Sequence, residues 1–220
     1  MKNKGPLKGV KVLDLTAMVS GPTATMMLGD QGADVIKIEP IGGELMRKVG
    51  SSVNGMTNSF LCCNRSKRSL TLNLKSKSAI NILKKLIITS DVFVQNFAPG
   101  ATERMGFGSK DLRLKYPKLI TVDISGYGDL DDTNPLKTRK AYDMLVQAES
   151  GLSDISGVND EPTRVGISIC DITCGMYAHS AILEALASRN ITGEGTAIEV
   201  SLFSGIADWL TVPLSHYEHD

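Results

Sequence analysis

Asp171 stands alone as a charge. In the run from Val165 to Leu183 no other residue is formally charged at neutral pH. A carboxylate is costly to surround with apolar neighbours unless hydrogen bonds or a helix end stabilise it, so an isolated acid there is either a cap or a working group. Its local setting suits both. The run before Asp171 predicts a buried strand and the segment from Ile172 to Ser188 predicts a helix, placing the acid at a strand-to-helix turn with backbone N–H groups ahead of it.

Other residue types that carry chemistry are sparse. His179, His216 and His219 form no HExxH or His-x-His pair, which argues against a metal site. Cys62, Cys63, Cys170 and Cys174 match neither a disulfide scaffold nor a zinc knuckle, and read as buried thiols. No Gly-x-Gly-x-x-Gly follows the first predicted strand, and no Gly-x-x-x-x-Gly-Lys-[Ser/Thr] occurs, so phosphate-cradling loops of nucleotide enzymes are missing.

The elements that must position Asp171 alternate. Gly9 to Leu15 predicts a strand, Ser20-Gly-Pro opens a helix through about Asp30, and Asp34 to Glu39 is a second strand. Ser76 to Thr89 has helical periodicity, Val92 to Gln95 is a short strand, Ser109 caps a helix to Lys115, and Leu119 to Ile124 is another strand. After a turn-rich stretch between Tyr127 and Lys140 come a helix from Ala141 to Gly151, the Asp171 region, a hairpin-like Thr192-Gly-Glu-Gly195, a strand to Ser201 and a last helix. This is an α/β pattern, a Rossmann-like, mostly parallel sheet with flanking helices, and ligands of such sheets gather at the carboxyl ends of the strands.

With 220 residues, 42% of them hydrophobic and 22% charged, the chain can bury a substantial core in about one domain. Twenty-four basic residues balance twenty-four acidic ones, which excludes a broad nucleic-acid footprint but leaves room for a local anion site. There is no apolar signal core at the start and no run of about 18 apolar residues to cross a membrane, so a cytoplasmic protein is expected.

A resemblance emerges from longer phrases. Leu7-Lys-Gly-Val-Lys-Val-Leu-Asp-Leu-Thr16 with Gly21-Pro22, Gly32-Ala-Asp-Val-Ile-Lys-Ile-Glu-Pro40, Asn64 to Lys75, and Asp91-Val-Phe-Val-Gln-Asn-Phe-Ala-Pro-Gly100 occur in one order. They continue through Arg104-Met-Gly-Phe-Gly108, Ser125-Gly-Tyr-Gly128, Tyr142 to Gly151, the Asp171 segment with Gly175-Met176, and Thr192 to Ser201. This collinear set resembles the family III CoA-transferases, the formyl-CoA transferase and carnitine CoA-transferase group. The resemblance implies that Asp171 is a nucleophile which relays CoA through a mixed anhydride and an aspartyl-CoA thioester. It places Leu72, Leu74 and Lys75 at the adenine end of CoA, Asn96 and Phe97 along its chain, and Arg104 and Lys137 on its phosphates. It implies acyl-CoA and a carboxylic acid as substrates, with no tightly bound cofactor.

Departures from the family narrow the expectation. Ala17 and Val19 replace a histidine and a glutamine of the formyl-CoA transferase branch, which disfavours oxalate or formate. Tyr142-Asp143 stands where related racemases have His-Asp, so a second α-carbon base is missing. Asp143 is left with assistance in transfer, a salt bridge or a cap as its role. The phrase from Arg139 to Glu149 is similar to branches that use small dicarboxylates. Family members are about twice as long, so residues 1–220 correspond to the N-terminal part of the large domain without the small domain and the C-terminal return. The expectation is therefore a transferase that works as a homodimer or with a complementary chain, the alternative being a CoA-binding or assembly module. An apolar face around Ile206, Trp209, Leu210 and Val212 is expected to be exposed for that association.

Overall fold

In the computed structural model residues 4–128 and 133–217 are described. Part of the turn-rich stretch between Tyr127 and Lys140, and His219, lie outside them. Six strands form one fully parallel sheet: β1 (Lys11–Leu15), β2 (Asp34–Glu39), β3 (Lys67–Thr71), β4 (Val92–Gln95), β5 (Ile120–Ser125) and β6 (Ala197–Ser201). Their spatial order is β3-β2-β1-β4-β5-β6. The order reverses between β1 and β4, which opens a crevice beyond their carboxyl ends. A two-stranded antiparallel ribbon, Ser52–Val53 with Met56–Thr57, stands apart from the sheet.

Among the described residues ten α-helices surround these strands: α1 (Ser20–Asp30), α2 (Asn58–Asn64), α3 (Lys77–Ile88), α4 (Ala101–Arg104), α5 (Ser109–Lys115), α6 (Asp143–Glu149), α7 (Leu152–Ile155), α8 (Ile169–Thr192), α9 (Leu202–Trp209) and α10 (Thr211–Tyr217). One core, which includes Val12, Leu28, Val94, Val122 and Ile182, lies between the sheet and the α1, α8 side. The second, with Leu13, Leu15, Leu72, Leu83, Phe93 and Phe107, lies on the α3, α5 side. Central strands are buried on both faces, as parallel strands covered by helices must be.

Apart from the run before Asp171, the predicted strands and the helices α1, α3 and α5 fall within a residue or two of expectation. Four details differ. Gly108 rather than Ser109 occupies the cap position of α5, and the buried Ser109 hydroxyl has no partner. Gly193, at φ 77°, is the left-handed cap of α8 rather than part of a hairpin. The expected last helix is two, α9 and α10; Ile206 and Leu210 are buried, while Trp209, Val212, Leu214 and Tyr217 are exposed. Of the cysteines, Cys170 and Cys174 are buried, but Cys62 is exposed and Cys63 only half-buried.

Strand β3 went unread in the sequence because its residues are Lys67-Arg-Ser-Leu-Thr71. Its charges are committed to distant acids. Arg65, just before it, pairs with Asp30, Arg68 pairs with Asp34, and Lys67 reaches the buried Asp14 at 3.0 Å. Lys37 on β2 lies 3.4 Å from Glu44, and Arg47 grips Glu39 through two nitrogens at 2.7 Å each. Burial alone would raise the Asp14 pKa, but Lys67, Lys37 and the Thr16 hydrogen bonds hold it down at about 2. Its contribution to stability is therefore present above the unfolded value of 3.8 and is lost as pH falls from there toward 2.

Removing one member of a buried pair strands the other. Lys67→Met should cost roughly 3–5 kcal/mol. Adding Asp14→Asn should recover part of that loss, as measured by urea denaturation near pH 7.

Candidate active site

Asp171 sits inside the first turn of α8, which begins at Ile169. The preceding run is not a strand. Ile167 is exposed, and the main chain at Val165 and Ile167 bonds to the side chain of Gln147 rather than to a neighbouring strand. Gln147 is fully buried on α6, and its Nε2 also donates to Asp143 Oδ2 at 2.6 Å. One turn earlier on the same helix, Asp143 Oδ1 accepts from the N–H of Cys170 at 2.8 Å and from that of Asp171 at 3.2 Å. Asp143 thus caps the start of α8 from another helix. Positions i and i+4 place Asp143 and Gln147 on one face of α6, so a single turn anchors both the loop and the helix start.

That cap changes the electrostatics expected for Asp171. The N–H groups of its own helix end are taken, so they do not lower its pKa. Burial, and then the Asp143 carboxylate, push the Asp171 pKa from 3.8 up to about 6, opposed by the hydroxyl and N–H of Ser20. Ser20 opens α1, whose start lies against α8. A Cβ at Gly175 would lie 2.6 Å from the Ser20 carbonyl oxygen, so the two helices meet this closely only because residue 175 is glycine. Gly175 is one turn beyond Asp171 and faces the same way.

Burial also pushes up the neighbouring thiols. The Cys170 and Cys174 thiols are raised to about 12, first by burial, with the Asp143 and Asp171 charges adding for Cys170 and the Asp171 charge for Cys174. Both therefore stay neutral near pH 7, and Asp171 is the group beside them that ionises.

Two cavities open at the carboxyl ends of the strands. The larger, about 550 Å³, is lined by Gln95, Phe97, Glu103, Asp123, Lys137 and Glu199. Three carboxylates make it a poor seat for a phosphate. The smaller, about 280 Å³, is lined by Asn96, Phe97, Lys137, Arg139, Lys140 and Tyr142, without a carboxylate. Phe97 and Lys137 border both, and Tyr142 leads directly to Asp143. Asp171 lines neither cavity; it is joined to the smaller one through Tyr142 and Asp143.

The expected CoA residues divide accordingly. Asn96, Phe97 and Lys137 are brought together around the smaller cavity. Arg104 is exposed at the end of α4, its guanidinium 2.9 Å from where a Cβ of Gly100 would stand, at the rim of the larger cavity. Leu72 is buried in the second core with Leu74 packed against it, and Lys75 is exposed; none of the three lines either cavity. Arg139 and Lys140 were missed, although their place beside Lys137 in a Gly/Pro-rich loop was a usable signal. Arg139 pairs with Glu149, which also accepts from Tyr127. Among the described residues no group of three or more His, Cys, Asp or Glu side chains is arranged to hold a metal ion, and no helix is long and apolar enough to cross a membrane.

The class these features define is an α/β protein with a parallel 3-2-1-4-5-6 sheet, a carboxyl of raised pKa and a cation-lined cavity joined to it through Tyr142 and Asp143. The model of CoA-transferase family III matches residues 7–219, and the chain belongs to that family. It is 40% identical over 215 residues to succinyl-CoA:glutarate CoA-transferase of Mus musculus, covering 96% of this chain and 49% of the relative. It is 41% identical over 212 residues to acetyl-CoA:oxalate CoA-transferase of Acetobacter aceti, covering 95% and 54%. Among solved structures, a CAIB/BAIF family protein from Brucella suis superposes with a TM-score of 0.91 at 33% identity, over 98% of this chain and 58% of that one. The chain spans about half the length of the curated relatives it matches.

The raised Asp171 pKa carries a stability consequence. Between 3.8 and about 6 the folded protein holds a proton that the unfolded chain releases, so stability falls as pH rises through this window. Asp171→Asn should therefore stabilise the protein at pH 7.5 by about 1–3 kcal/mol and have little effect near pH 4. Thermal melts at the two pH values measure the difference.

Proposed function

We propose that this chain carries the CoA-binding layer and the nucleophile of a CoA-transferase that moves CoA from an acyl-CoA thioester to a carboxylic acid. The observation that carries this reading is the half-buried Asp171 carboxyl, its pKa at about 6 with Ser20 donors beside it. Such a group is ionised at neutral pH yet more basic than an ordinary carboxylate, which suits it to attack a carbonyl.

In the first half-reaction an Asp171 oxygen attacks the thioester carbonyl and the C–S bond breaks, giving an aspartyl anhydride and CoA thiolate. The thiolate then attacks the aspartyl carbonyl and the acyl group leaves as its acid anion. In the second half-reaction the acceptor carboxylate attacks the aspartyl thioester, CoA thiolate leaves, and its attack on the acceptor carbonyl regenerates Asp171. No net proton moves. The apolar setting of α8, with Cys170, Thr173 and Cys174 buried around the acid, disfavours water as a competing nucleophile.

CoA is polyanionic, and the smaller cavity offers Lys137, Arg139 and Lys140 with the Phe97 ring and Asn96 beside them. A small dicarboxylate is the acceptor class favoured, since Ala17 and Val19 take polar side chains away from the loop next to Ser20 and a relative named for succinyl-CoA and glutarate is 40% identical. Association with a second copy or with a complementary chain belongs to the same reading and rests on the exposed Trp209, Val212, Leu214 and Tyr217. Sedimentation should find a species larger than one chain, and Trp209→Lys should return it toward the monomer.

Incubation with succinyl-CoA and hydroxylamine, followed by peptide mass spectrometry, should place a hydroxamate on Asp171 and none in Asp171→Asn. CoA titrated by calorimetry should bind at least about tenfold more weakly to Lys137→Ala, and more weakly in high salt. Modification of a different acid would remove Asp171 from its role; CoA binding without any modification would favour the binding module.

A further inference from the structure

The chain turns from the end of β1 into α1 through Thr16 to Val19, and Met18 does so at φ 69°. This left-handed conformation is unfavourable for a residue with a Cβ, so it persists where the surroundings impose it. They do so completely. Asp14 Oδ1 accepts from the Thr16 N–H at 2.9 Å, and Lys37 Nζ donates to the Thr16 carbonyl at 2.8 Å. Asn96 accepts from the Ala17 N–H at 2.9 Å and donates to the Ala17 carbonyl at 2.8 Å. Glu44 Oε2 accepts from the Met18 N–H at 3.2 Å.

Five successive main-chain polar groups are therefore each held by a side chain, and these side chains come from β1, β2, the loop after β2 and the loop after β4. Glu44 is itself fixed by Lys37 at 3.4 Å and by the Asn64 amide at 3.3 Å, and its own N–H is bound by Glu39. A Cβ at Gly21 would lie 2.4 Å from the Thr16 side chain, so the start of α1 is pressed directly against this clamped turn. The residue delivered by the turn is Ser20, buried at the start of α1 with its carbonyl packed against Gly175, one turn beyond Asp171; its polar groups oppose the rise of the Asp171 pKa.

We infer that Glu44 and Asn96 are positioning residues for Asp171: by fixing the main chain of Ala17 and Met18, they hold Ser20 and the start of α1 against the turn of α8 that carries Asp171. Its catalytic meaning rests on the reading of Asp171 as the nucleophile. Neither residue touches Asp171. The groups that face Asp171 are Asp143 from α6, Ser20 from α1, and the Cys170 and Cys174 thiols of its own helix. Because the two thiols stay neutral, loosening Ser20 leaves Asp143 unopposed.

The test is a carbon-13 NMR titration of the Asp171 carboxyl in the full chain, with Asp171→Asn assigning the signal. Asn96→Ala, Glu44→Ala and Ser20→Ala should each raise the midpoint by about half a unit or more, since each withdraws donors that favour the anion. Glu44→Gln keeps an acceptor oxygen for Met18 and should stay within about 0.3 units of the natural protein. An unchanged midpoint in folded Asn96→Ala, or a Glu44→Gln shift as large as that of Glu44→Ala, would overturn the inference. If Glu44→Ala does not fold, Asn96→Ala alone decides. Hydroxylamine trapping on the same samples is judged separately: an unmodified Asp171 removes the nucleophile reading, while the titration still decides whether the clamp positions Ser20.

Discussion

The site depends on one contact made across the fold, the Asp143 carboxylate on the first N–H groups of α8. Beside a helix end with free N–H groups, an acid in the first turn is stabilised as an anion and its pKa is lowered. By occupying those N–H groups, Asp143 satisfies the helix start, frees the Asp171 carboxyl to face Ser20, and sets a second negative charge close by. The same residue thus completes the helix and makes its neighbour more basic. Gln147, one turn along α6, fixes the arrangement by holding the chain that leads into α8.

The opposite half of the site is built from buried charge. Asp14, Lys37, Glu39 and Glu44 are buried, and the side chain of Lys67 is almost completely enclosed with them. Pairs of this kind seldom stabilise more than apolar residues of the same size would. Their value here is directional: long polar side chains reach the main chain of the turn after β1, which an apolar core could pack against but not orient. The sheet order supplies the remainder, since it sets the turn after β1 beside that after β4 at the point of reversal, where Asn96 bridges them.

Much of this was legible in the sequence where the signal was local. β-Branched content marked Val92–Gln95 and Asp34–Glu39, and helical periodicity marked α3, because each follows from residues within a few turns or one strand. The isolation of Asp171 was equally plain. What failed depended on partners far along the chain. Helix α8 starts earlier than expected because its capping acid lies 28 residues upstream of Asp171. Strand β3 is disguised because Lys67 answers an acid 53 residues away, and a window of local sequence sees only a basic run. The CoA contacts came from resemblance, and the structure gathers Asn96, Phe97 and Lys137 while leaving Leu72 in the core.

If Asp171 relays CoA as its geometry suggests, one oxygen of the acceptor acid must remain on Asp171 after each transfer, because the acceptor's carbonyl leaves with sulfur in place of that oxygen. The decisive measurement is exchange between succinyl-CoA and succinate labelled with oxygen-18, followed by mass analysis of the Asp171 peptide. The account predicts a peptide about 2 Da heavier after one turnover, with the label on Asp171. Exchange that proceeds while Asp171 stays unlabelled, or that labels another acid, would contradict it.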